Sequence, residues 1–153
     1  MSVEVTLEEL KTYEGKELSP SEWFVVDQDR INQFADCTDD HQYIHVDPER
    51  MKDSDYGCTI GHGFLSLSLV AGHGPPDFPE LKGRILSLNY GLDKVRFLNP
   101  VKVNSMVRFH TKILSVKEKS LGRILIKAQK TLEIEGEERP AMVAETLGMV
   151  VLE

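Results

Sequence analysis

The sequence has few cysteines, few aromatic residues, no excess of basic residues and no long apolar run. Its two cysteines, Cys37 and Cys58, fit no metal or redox spacing. That excludes a disulfide framework and suggests two free thiols, each a small semi-buried apolar side chain, in a reducing cytoplasm. Eighteen Lys and Arg stand against 25 Asp and Glu, a net charge of −7. Phosphate backbones reward clustered cations, so the balance argues against a nucleic-acid partner. A small anionic ligand stays compatible, because a few local donors can overcome an acidic field. No stretch reaches the roughly 18 apolar residues of a membrane span. The segment Met1–Thr6 also lacks the basic region and apolar run of a secretory signal.

What is present is the balance of an ordinary globular protein, with 41% hydrophobic and 28% charged residues. No repeat or linker divides the 153 residues, so one domain spanning 1–153 is expected. The first half reads as helical and loop-rich. Thr6 can cap a short helix, Trp23–Val26 reads as a strand, and Asp27 can cap a helix with Ile31, Phe34 and Ala35 on one stripe. Asp47-Pro48 marks another helix start. The segment from about His62 to Ala71 is apolar around its whole circumference apart from Ser66 and Ser68, so it predicts a helix buried on most sides. Gly72, Gly74, Pro75 and Pro76 stop it.

From Arg84 the period changes to that of strands. Ile124, Ile126, Ala128, Leu132 and Ile134 share one face, and Arg123, Lys127, Gln129, Thr131 and Glu133 share the other. Turns are expected at Ser120–Gly122 and Glu135–Glu138. Ala141–Leu152 is apolar on both faces, so it should be a central strand. A buried helix and a mainly antiparallel sheet predict an α+β domain in which the sheet curls around the helix, with uncovered sheet surface favouring a dimer.

The polar run Asp39-Asp40-His41-Gln42-Tyr43-Ile44-His45 lies between two predicted helices. Asp40 and His45 are five residues apart, too far to face each other on one helix, but a turn can join them. A carboxylate beside an imidazole could then activate a water and deliver a proton. The plainer alternative is that Asp40 caps a turn and His45 bonds a backbone carbonyl. Gly61-His62-Gly63 opens the buried helix, whose leading N–H groups have no internal acceptor. They could stabilise the developing negative oxygen of a thioester; equally, the glycines could simply permit tight packing. His41 and His45 have ligand spacing on a helix, but no third ligand is evident, and no metal is expected.

The run Phe34–Asp47, Tyr56, Thr59–Leu65 and Asn89–Phe97 together resemble the MaoC-like (R)-specific enoyl-CoA hydratases, in the branch of nodulation protein N-like proteins. The resemblance extends from about Ser21 to the end of the chain. It implies a hot-dog fold, with a long central helix wrapped by a curved antiparallel sheet, in a homodimer. It also implies reversible syn hydration of trans-2-enoyl-CoA to (R)-3-hydroxyacyl-CoA, with a thioester of CoA or acyl-carrier protein as substrate and no cofactor. The catalytic positions fall on Asp40, His45 and the Gly63 amide. Gln42, Gly61, His62, Lys94 and Arg96 are candidate substrate contacts, and Lys102 joins the two cations as a contact for CoA phosphates. The chain departs from the motif in having Gln42-Tyr43 for the usual asparagine-proline, and Gly61 where alanine is frequent. A thioesterase and a non-catalytic acyl-binding protein are the rival readings.

Overall fold

A computed structural model describes residues 3–153; Met1 and Ser2, where the expected domain and N-terminal segment begin, lie outside the described residues. The chain runs β1 (Glu4–Val5), α1 (Leu7–Lys11), β2 (Phe24–Val26), α2 (Gln28–Thr38), α3 (Tyr43–Val46), α4 (Pro48–Met51), α5 (Gly63–Ser68), β3 (Glu80–Leu81), β4 (Arg84–Phe97), β5 (Ser105–Ser120), β6 (Arg123–Ile134) and β7 (Met142–Leu152). Local signals act where they were read. Thr6 forms a reciprocal capping box with Glu9, Asp27 accepts from the Arg30 N–H, and Asp47 accepts from the Arg50 N–H with Pro48 in the first turn. Gly122 and Gly136 turn the chain with positive φ.

Five strands form one antiparallel sheet in the order β2-β5-β6-β7-β4. Strand β7 lies inside the sheet, between β6 and β4, as its two apolar faces require. On β6 the alternation is strict: Ile124, Ile126, Ala128, Leu132 and Ile134 are buried. Lys130 occupies the same face and is buried with them, a cation that the apolar pattern passes over. The curled sheet holds two apolar clusters. One gathers Leu65 of α5 with Val26, Ile31, Val107, Phe109, Leu132 and Met142. The other gathers Val5, Leu10, Leu81, Ile113, Ile124 and Ile126.

The central helix differs from expectation. It is six residues long and tightens into a single 3₁₀ turn over Leu69–Ala71. It is buried on most sides except along one stripe: Leu65 and Ser66 are buried and Leu67, Leu69 and Val70 pack partly buried against the first cluster, whereas Phe64 is 69% exposed and Ser68 and Ala71 lie open beside it. The open stripe is only partly covered by this chain, where the Phe64 ring meets Phe97 of β4 edge-on at 6.1 Å. Strand β4, at the sheet edge, shares that exposure, with Ile85, Leu86, Leu88, Tyr90, Leu92 and Phe97 all open.

Candidate active site

Helix α2 ends in Asp39, whose φ of 60° puts it in the left-handed region that reverses the chain. The Gln42 N–H then points at Asp40 Oδ1 at 3.4 Å, and the single-turn α3 starts directly behind it. This compact reversal bridges the five-residue separation. A side-chain oxygen of Asp40 and ring nitrogens of His45 and His62 all lie within 4.8 Å of one another. Asp40 is exposed, and the two imidazoles are buried.

Hydrogen bonds to carbonyls fix both rings. His45 Nδ1 donates to the Ile60 carbonyl at 2.6 Å. A carbonyl only accepts, so in the neutral ring the proton resides on Nδ1 and Nε2 carries the lone pair. His62 Nε2 donates to the Asp40 carbonyl at 3.0 Å, leaving its buried Nδ1 without a partner among the described residues. The rings stack with centroids 3.8 Å apart, and Phe34 meets His62 edge-on at 5.0 Å. Burial holds the His45 pKa below the ordinary imidazole value, and the His62 ring adds to that shift. The Ile60 hydrogen bond and the Asp40 charge oppose it. His45 is therefore a neutral base at neutral pH. Asp40, His45 and His62 would also be the donors for any small cation here, although carbonyls already hold one nitrogen on each ring. His41 does not join them; it bonds Asp36 at 2.8 Å on the surface.

Gln28 and Thr59 were not singled out from the sequence. Gln28 Nε2 donates to the His45 carbonyl at 2.7 Å and to Asn32 at 2.9 Å, while its Oε1 accepts from Thr59 at 2.5 Å. One amide thus ties α2 to both segments that carry the histidines. An Asp-Gln helix start gives no hint of such a clamp, because its partners lie 17 and 31 residues away.

The tip of α5 carries no side-chain cap, so its leading amides face outward along the helix axis. A Cβ on Gly63 would lie 3.0 Å from the Phe97 ring. Glycine there admits this chain's own phenylalanine along its α-carbon flank. The Gly61 N–H is already given to the Val101 carbonyl at 2.7 Å, and Ile60 forms a backbone bridge to Lys102. Gln42 is exposed at the start of α3. Lys94 and Arg96 are exposed on β4, where Arg96 turns back onto the Val95 carbonyl at 2.8 Å. The structure thus brings Asp40, His45, His62 and the α5 tip together, with Lys94 and Arg96 on the edge strand.

The family model described as MaoC like domain matches residues 9–136. The chain belongs to the MaoC-like dehydratase family. It is 41% identical over 148 residues to nodulation protein N of Rhizobium leguminosarum bv. viciae, covering 96% of this chain and 92% of that protein. It is also 41% identical over 133 residues to 3-hydroxyacyl-thioester dehydratase Z of Mycobacterium tuberculosis, covering 87% of each. Among solved structures, the monoamine oxidase regulatory protein of Archaeoglobus fulgius superposes with a TM-score of 0.79 at 17% identity, covering 100% of this chain and 97% of that one. The (R)-hydratase of A. caviae superposes with a TM-score of 0.68 at 20% identity, covering 88% and 93%. These likenesses show the hot-dog fold. Membership of the MaoC-like dehydratases places the chain among hydro-lyases.

Proposed function

We propose that this MaoC-like protein is an (R)-specific hydratase, adding water reversibly to a trans-2-enoyl thioester of CoA or acyl-carrier protein. The observation that carries this reading is the meeting of the Asp40 carboxylate and the His45 imidazole, the latter held as a neutral base, beside the uncapped tip of α5. Its likeness to a 3-hydroxyacyl-thioester dehydratase and to the fold of an (R)-hydratase supports it.

In this mechanism the thioester oxygen accepts from the Gly63 amide, which draws electron density from C3. Asp40 and His45 hold one water on a single face of the double bond. His45 Nε2 accepts a proton as the water oxygen bonds to C3, and a proton returns to C2 from the same side. The pair functions as one acid–base unit, and the balanced addition needs no cofactor. His62 supports it by holding the Asp40 carbonyl.

The same reading makes the protein a homodimer joined through the open β4 edge and the exposed stripe of α5. An exposed apolar edge strand of 14 residues invites pairing with a second copy. No helix among the described residues is long and apolar enough to cross a membrane, and two free thiols suit a cytoplasmic setting.

Hydration of crotonyl-CoA, followed by loss of the conjugated absorbance, tests the reaction. D40N and H45Q should each lower it about a hundredfold or more, with no free thiol released. Near-normal turnover in folded variants, or thiol release by the wild type, would overturn the assignment.

A further inference from the structure

A cavity of about 490 Å³ opens between α5 and the sheet. Its wall starts with Leu67 and Ser68, roughly one helical turn (about 6 Å) beyond the Gly63 amide, and reaches Phe78, Ile126 and Val150 of the second apolar cluster. This volume is the natural seat for the tail of a thioester whose carbonyl sits at the α5 tip. A plain hydrocarbon tail would call for an apolar wall throughout.

The wall contains Lys130. This side chain is buried on the inner face of β6, between Ala128 and Leu132. Its Nζ donates to Thr111 Oγ1 at 2.9 Å, and among the described residues no carboxylate pairs with it. Ammonium has three donors, and a buried cation is costly unless a counter-charge or further acceptors meet it. Burial correspondingly lowers its pKa to about 8, so the group is still mainly charged at neutral pH. Ser68, Ser87, Asn89 and Thr146 also line the wall, but among the described residues the side chain that accepts from Nζ is Thr111 alone. The contrast with Lys127 is direct. Three residues earlier, on the opposite face, Lys127 pairs with both Asp93 and Glu145.

We infer that Lys130 is a specificity residue that receives an anionic group, a carboxylate, at the far end of the acyl chain, so that the preferred substrates are enoyl thioesters with a second acid function. This inference rests on the hydratase reading for the position of the thioester, and it deepens that reading by naming the substrate class. A carboxylate entering the cavity would neutralise the one unanswered charge and accept the free Nζ donors. A terminal methyl would leave both unmet.

The test compares trans-2-enoyl-CoAs of medium length ending in carboxylate with methyl-ended ones of equal length. Wild-type protein should favour the carboxylate series by about ten- to a hundredfold in kcat/KM, the scale of a charged hydrogen bond. K130M should abolish that ratio, and K127M, on the outer face, should keep it. An unchanged ratio in K130M, or a wild-type preference for methyl-ended chains, would overturn the inference. Calorimetry with the saturated carboxylate- and methyl-ended acyl-CoAs reads the same preference without turnover. If no enoyl-CoA is hydrated, the hydratase reading fails by itself, and the binding ratio still decides the role of Lys130.

Discussion

The two ends of α5 lie in opposite surroundings. At the N-terminal end, the loop is held by hydrogen bonds to partners far away in sequence: His45 to Ile60, His62 to Asp40, and Gln28 to both His45 and Thr59. Beyond the C-terminal end the sheet stands back, leaving a cavity whose single buried cation has one hydroxyl for company. The difference suggests a division of labour. Chemistry needs groups held to within a fraction of an ångström, and hydrogen bonds to backbone carbonyls provide that. Choice of tail needs room and one strong preference, which a cavity with an unanswered charge provides.

Mutations can break this contrast from either end. The largest effect belongs to His45: H45Q removes the lone pair at Nε2 and should cost about a hundredfold in hydration, while thermal melting remains cooperative. Gln28 comes next. Gln28→Leu removes three hydrogen bonds at once, so it should lower stability by about 1–3 kcal/mol and reduce kcat more than it alters KM. Denaturant titration and steady-state kinetics check the two halves of that expectation.

At the cavity end the sign reverses. Lys130→Met should raise stability at pH 7 by about 1–3 kcal/mol, because it replaces a lone buried charge with an apolar side chain of similar shape. The folded pKa of about 8 lies below the ordinary 10.5. The charge penalty is therefore complete below pH 8 and fades as pH rises towards 10.5, where the unfolded chain also loses its proton. Wild-type stability should thus climb relative to K130M across that window, which paired chemical denaturation at several pH values would show. The smallest effect is the acid limb of the pH profile. Since burial lowers the His45 pKa, kcat/KM should hold as pH falls through the ordinary imidazole range and drop only below it. Stability behaves likewise: it is undiminished above the ordinary value, and lost as pH falls from there through the lowered one.

The fold was legible where local chemistry decides it. Thr6, Asp27 and Asp47 cap helices as their side chains dictate, and the period of two on β6 assigns its inner face. The length of α5 was not legible. Its apolar circumference reports how much surface wants covering, but not where the helix tightens into a 3₁₀ turn or that one stripe, with Phe64 69% exposed, stays open. Asp40 and His45 could be paired from sequence because one turn joins them. Gln28 could not be found, since an amide's partners across 17 and 31 residues leave no periodic trace. Lys130 was hidden for the opposite reason: a cation within an apolar alternation reads as a gap in the pattern until burial exposes it as a feature.

In the proposed mechanism Asp40 and His45 act as one acid–base unit beside the α5 tip. Incubating wild type, D40N, H45Q and the double variant with crotonyl-CoA in deuterated water, and reading product chirality and deuterium placement, tests it most directly. The expected product is (R)-3-hydroxybutyryl-CoA with oxygen and deuterium added to one face, and the double variant should be about as slow as either single one. An (S) product, addition to opposite faces, or losses that multiply in the double variant would contradict it.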